Sequence, residues 1–221
     1  MREGKAIAAS LPHRLLIPES KGKAFPTVMA LHGRGTDEND LVPLVSALKL
    51  SDTLLITPRA PFAFPYGGYA WYSIADDGVP DAESFETSLK LLRKFVDEVR
   101  SGYPIDPDRI LLLGFSQGTM MAYATGLPKR SEFLGIAAMS GYVPYSSTPP
   151  MRFDNLRSFP IFISHGSADP VIPVRFGREA AELLRKAGAL VEYHEYPIGH
   201  EINLEVLNDL SLWTHKRLSR D

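Results

Sequence analysis

The stretch "ILLLGFSQGT", Ile110–Thr119, decides how the chain is read. Four apolar residues run directly into a serine held between two glycines. An apolar run of this length fits a strand buried on both faces. Gly-x-Ser-x-Gly immediately after such a run is the pattern of a sharp strand-to-helix turn that exposes a serine hydroxyl. The turn holds the serine in a strained backbone conformation, about 1–3 kcal/mol uphill. It closes only if the residues two before and two after are small, and Gly114 and Gly118 satisfy that. Residues Thr119 to Gly126 are expected to follow as a short helix, with N-terminal N–H groups aimed at developing negative charge. The competing reading is that a strand ends, a loop takes glycine and serine fills a gap. The rest of the chain decides between the two.

Working outward, other apolar runs alternate with helical patterns. Phe25 to Leu31 ends at His32-Gly33, and Thr53 to Thr57 is stopped by Pro58. Leu134 to Met139 ends at Ser140-Gly141, Pro160 to Ser164 at His165-Gly166, and Val191 to Tyr196 comes last. Between them, Phe85, Leu89, Leu92, Val96 and Val99 mark one face of a helix. Phe176, Ala180, Leu183 and Ala187 do the same before Gly188, and Val206, Leu210 and Trp213 mark a final helix. Asp37 to Leu48 is expected to be helical, with acids in its first turn. Lys5 to Ile17 is a candidate antiparallel edge hairpin. Strands alternating with helices imply an α/β fold, a mostly parallel sheet with helices on both faces. The 221 residues suit one domain spanning 1–221.

Bulk properties exclude several classes. The formal net charge of −2 gives no sign of a nucleic-acid partner. The absence of cysteine rules out disulfides, thiolate metal sites and a cysteine nucleophile. The apolar stretch near the N-terminus is too short for a signal peptide, and no window approaches the ~18 apolar residues of a membrane span. A cytoplasmic protein is the default expectation. Two stretches escape the alternation: the aromatic-rich Pro58–Pro80, whose apolar residues are candidates for a homodimer contact, and Tyr142–Phe159, too short for more than a minimal lid.

In an open α/β sheet, sites form beyond the carboxyl ends of the strands, so polar residues there carry the search. Ser116 needs a base and the base an orienting acid. Of six histidines, His13 and His215 are expected to be solvated, and His194 to lie within a strand. His32 and His165 precede glycines as structural supports. His200, in "PIGHEIN", follows the last strand and precedes the last helix, and is the best placed. Among acids, Asp169 in "HGSADPVIP" follows a strand. Asp106 and Asp108 lie at the wrong end of the sheet, Asp154 is a weak competitor, and Glu201 adjoins His200 awkwardly. The order Ser116, Asp169, His200 is that expected of an α/β-hydrolase. An oxyanion hole would take the Gln117 N–H and, from "LHGRGTDEND", the Arg34 N–H. His-Gly-x-Gly is also compatible with an ordinary strand-to-helix turn.

The blocks "LHGRGTDENDL", "AWYS", "GFSQGTMMA", "HGSADPVIPV" and "YPIGHEI" together resemble those of the phospholipase/carboxylesterase family of α/β-hydrolases, over nearly the whole chain from about residue 25. The resemblance implies a triad of Ser116, Asp169 and His200, backbone oxyanion donors at Arg34 and Gln117, and Trp71 near the substrate pocket, where a core role competes. It implies no cofactor and no metal. The histidines also lack a close His-x-x-x-His spacing for zinc. Family members often carry an apolar residue where Arg34 stands, so acyl preference does not transfer. The expected activity is hydrolysis of short- to medium-chain carboxylic esters through an acyl-enzyme, with a small-molecule ester as substrate. A long-chain acyl thioesterase or lysophospholipase is the enzymatic alternative, and a non-catalytic binding protein of the same fold is the alternative of another class.

Overall fold

The computed structural model describes residues 1–75, 79–144 and 155–219. Eight strands form one sheet: β1 (Arg2–Glu3), β2 (His13–Ile17), β3 (Phe25–Leu31), β4 (Leu54–Pro58), β7 (Ile105–Phe115), β8 (Gly135–Met139), β9 (Pro160–Gly166) and β10 (Leu190–Tyr196). Their order is β1-β2-β4-β3-β7-β8-β9-β10. Pairing is parallel from β4 across to β10, and antiparallel at β1–β2 and β2–β4. A short hairpin, β5 (Phe62–Ala63) and β6 (Tyr69–Ala70), stands apart from the sheet.

The alternation along each strand explains how the helices distribute. On β7, Leu111 and Leu113 face α1 (Val42–Ala47) and α5 (Leu204–Leu218), packing with Val45, Leu210 and Trp213. Ile110 and Leu112 face the other way, towards α2 (Ala82–Gly102), α3 (Gln117–Gly126) and α4 (Arg175–Lys186). A strand buried on both faces must be apolar at every position, which is what "ILLL" displays.

The chain runs from β3 outward to β4 and returns to β7 on the other side of β3, so the strand order reverses between β3 and β7. Open α/β sheets form their clefts at such a reversal. The loop after β3 carries Arg34 and the turn after β7 carries Ser116, so sheet topology alone brings them together.

Several expectations are corrected. The helix expected over Asp37 to Leu48 is confined to Val42–Ala47. The acids before it serve other ends: Asp37 accepts the Asn39 N–H at 2.8 Å, a local turn that competes with helix, and Glu38 pairs with Arg59. The N-terminal edge is antiparallel as expected, but its first strand is Arg2–Glu3 and not part of Lys5 to Ile17. Part of the Pro58–Pro80 stretch is regular, as the β5–β6 hairpin. Asp154 and most of the Tyr142–Phe159 stretch lie outside the described residues, so the minimal lid stands as an expectation.

Candidate active site

The turn after β7 has the geometry that its glycines predict. Ser116 has φ 53° and ψ −123°, a conformation that L-residues rarely adopt. A Cβ on Gly114 would overlap the Gly118 carbonyl, and one on Gly118 would overlap the Leu31 carbonyl of β3. The obstacles are backbone, so neither position has room for a side chain. Thr119 ties the turn to the next strand: its hydroxyl lies 2.7 Å from the Met139 carbonyl and accepts the Met139 N–H at 3.1 Å.

Ser116, His200 and Asp169 come from three separate strand ends and meet. The Ser116 Oγ lies 2.9 Å from His200 Nε2. His200 Nδ1 lies 2.7 Å from Asp169 Oδ2. The other carboxylate oxygen, Oδ1, accepts the backbone N–H groups of Val171 and Ile172, each at 2.8 Å. Those two bonds fix the carboxylate and leave Oδ2 to His200. With Nδ1–H donated to Asp169, Nε2 presents its lone pair to the serine hydroxyl. The Phe115 ring, 5.0 Å from the imidazole, packs beside it.

Arg34, Ser116 and Gln117 line one cleft of about 460 Å³. Gln117 opens α3, so its N–H has no acceptor within the helix. Gly33 brings the loop after β3 close, with room for a Cβ only 3.4 Å from that of Ser116. The remaining walls are mostly apolar and include Ile74, Met120, Tyr142, Val171 and Phe176.

The other histidines sort by burial. His32 is buried: its Nδ1–H donates to the Gly33 carbonyl at 2.6 Å and its Nε2 accepts the Ala60 N–H at 3.0 Å. Burial pulls its pKa below the usual imidazole value, keeping it a neutral brace for the Arg34 loop. His165 is buried behind Asp169 and bonds the Ile172 carbonyl at 2.7 Å through Nε2, and burial lowers its pKa too. His13 is not solvated as expected, since its Nε2 bonds the Tyr103 hydroxyl at 2.6 Å. His215 is exposed on one side but bonds the Leu48 carbonyl at 2.9 Å. Asp106 sits at the amino end of β7, bonded to Arg109.

Trp71 does not line the cleft. It is fully buried, donates its indole N–H to the His32 carbonyl at 2.9 Å, and packs against the His32 ring. Its position favours the core role over substrate contact. The sequence points to Gln117 through its backbone N–H, but the side chain does more. Its Oε1 accepts the Trp71 N–H at 3.0 Å and its Nε2 donates to the Tyr72 carbonyl at 2.9 Å. Ser88 bonds the Trp71 carbonyl from α2. An amide beside the serine was the available signal, but its partners lie 45 and 46 residues away. Among the described residues, no group of three His, Cys, Asp or Glu side chains could hold a metal ion, and no helix is long and apolar enough to cross a membrane.

The chain has clear relatives among known proteins. The acyl-protein thioesterase 1 of Debaryomyces hansenii is 34% identical over 206 residues, covering 84% of this chain and 88% of that protein. Among solved structures, esterase PE8 superposes with a TM-score of 0.83 at 27% identity, covering 96% of this chain and 100% of that one. The Bacillus cereus carboxylesterase shares the fold at a TM-score of 0.83 and 24% identity, covering 94% of each chain. The family profile described as phospholipase/carboxylesterase matches residues 13–218. The chain therefore has the α/β-hydrolase fold and belongs to the phospholipase/carboxylesterase family.

Proposed function

We propose that the protein hydrolyses carboxylic esters of short to medium acyl chain by acyl transfer through Ser116. The observation that carries this reading is the continuous relay from Ser116 Oγ to His200 to Asp169, with contacts of 2.9 and 2.7 Å. His200 Nε2 takes the Ser116 proton as Oγ attacks the ester carbonyl. Asp169 orients the imidazole and offsets the charge it gains. The Gln117 and Arg34 N–H groups hold the oxyanion; one such donor is typically worth about 3–4 kcal/mol in the transition state. His200 then returns its proton to the leaving alkoxide, and a water activated by the same imidazole releases the acid from Ser116. With one water consumed per ester, the proton and charge balance closes on these groups.

A second reading, an acyl thioesterase on longer chains, draws on the relatives named acyl-protein thioesterase and on the apolar walls of the cleft. Thioester and oxygen ester share the same tetrahedral intermediate, so the triad does not separate them. A panel of aryl esters and matched thioesters from two to sixteen carbons does. The leading reading expects a maximum below about ten carbons with oxygen esters turned over efficiently. A maximum at ten or more carbons, or turnover confined to thioesters, favours the second reading. Equal turnover of all substrates by native protein and by Ser116→Ala would reject both. We also propose a homodimer contact through the Pro58–Pro80 stretch, where Tyr66 is exposed outside the cleft, and sedimentation of the purified protein tests it.

A further inference from the structure

Arg34 is the one charged side chain among the described residues that line the cleft. Its backbone N–H serves the oxyanion, which leaves the guanidinium to be explained. The side chain is exposed, and among the described residues no carboxylate pairs with it. It is nevertheless not left to wander. The guanidinium carbon stands 5.3 Å from the centre of the Phe64 ring. That ring is itself fixed by the β5–β6 hairpin: the Phe64 N–H donates to the Gly68 carbonyl at 2.9 Å, and the Gly35 N–H to the Tyr69 carbonyl at 2.8 Å. An aromatic face orients an arginine without neutralising it, so among the described residues no carboxylate competes for its charge and five N–H donors. The guanidinium charge also reaches the buried Tyr72 phenol below, opposing the rise in pKa that burial imposes there.

We propose that the cleft takes esters bearing a carboxylate a few bonds from the scissile carbonyl, and that the Arg34 side chain is the specificity-determining group that receives it. The inference rests on the acyl-transfer reading of the same site. The apolar walls give a neutral chain somewhere to lie, and among the described lining residues Arg34 is the one cationic partner for a carboxylate. A guanidinium meets a carboxylate through two parallel N–H···O bonds, a geometry that lysine cannot copy. Solvent access limits the gain to about tenfold in kcat/KM.

Two substrate pairs test it and locate the charge. On the acyl arm, p-nitrophenyl hydrogen glutarate is compared with p-nitrophenyl valerate; on the alcohol arm, p-acetoxybenzoate with its methyl ester. The expected result is a charged-to-neutral ratio of about ten on at least one arm at low salt. The ratio falls towards one in Arg34→Gln and stays intermediate in Arg34→Lys. It also falls in the native protein as salt screens the pair. The ratio is the readout because any change at Arg34 can alter the absolute rate through the neighbouring oxyanion donor. A native preference for the neutral ester on both arms, or a ratio unmoved by Arg34→Gln, overturns the inference. Calorimetric binding of the same pairs to Ser116→Ala protein decides the charge preference independently of turnover. Equal affinities there overturn it, and absent turnover with tighter binding of the charged ester supports it while rejecting the acyl-transfer reading.

Discussion

The floor and the rim of the cleft are built on different principles. On the floor, Ser116, Asp169 and His200 sit at strand ends, and each is held by a backbone or side-chain bond that leaves one orientation open. Glycines admit backbone to backbone, and the Gln117 amide stitches the segment at Trp71 and Tyr72 to the first turn of α3. On the rim, Ile74, Val79 and Val171 are exposed to 38, 47 and 56% and ride on loops, with Arg34 resting on a single ring. The difference teaches where tolerance lies. A change on the floor disturbs groups with no alternative partner, whereas a change on the rim alters what the cleft accepts.

The comparison breaks first, if it breaks, at Gly118. A Cβ there would overlap the Leu31 carbonyl, so Gly118→Ala must push α3 off β3. The expected loss is about 3 kcal/mol of stability, read from the denaturant midpoint. A midpoint equal to the native one would show that the close approach is not needed. Next is Gln117→Leu, which leaves the buried Trp71 N–H and Tyr72 carbonyl without their amide partner. The expected cost is about 2 kcal/mol, with kcat/KM lowered because the same residue carries the proposed oxyanion donor. Native stability in this variant would reduce the clamp to a contact.

A smaller effect follows from the buried imidazoles under the floor. Burial holds the folded-state pKa of His32 and His165 below the ordinary 6.5, whereas the unfolded chain titrates near that value. Below about pH 6.5 the unfolded state therefore binds protons that the folded state refuses. Stability is full above that pH and falls as pH drops towards 5. The paired carboxylates act in a lower window, since Arg178 holds Glu195 down to about 2. Denaturant midpoints at pH 7.5, 6.5 and 5.5 check this, and a flat series would contradict it. Smallest is the rim. Val171→Ser should leave the thermal midpoint nearly unchanged, as exposed substitutions do within about 0.5 kcal/mol. It should shift the long- to short-chain rate ratio by less than about tenfold. A large stability loss there would erase the distinction between floor and rim.

The floor was also the legible part of the sequence. Strand ends announce themselves by an apolar run and a glycine, and topology then brings Ser116, Asp169 and His200 to one edge. What was not legible depended on contacts distant in sequence. The helix expected from Asp37 begins only at Val42 because Asp37 and Glu38 find local and long-range partners that no periodicity reveals. Trp71 reads in its block equally as a pocket aromatic or as core, and a fully buried indole bonded to the His32 carbonyl favours the core role. His13 looks solvated until Tyr103, 90 residues on, supplies its partner. The hairpin under Arg34 hides in a stretch rich in proline and glycine, where two-residue strands leave no period to detect.

Everything proposed for the cleft depends on Ser116 acting as a nucleophile, activated by His200 and oriented through Asp169. Intact-mass analysis of the folded protein after exposure to a fluorophosphonate tests it most directly. One adduct per chain is expected, mapped to Ser116, lost in Ser116→Ala and strongly slowed in His200→Ala. No adduct on folded native protein, or an adduct on another residue that persists in Ser116→Ala, would contradict it.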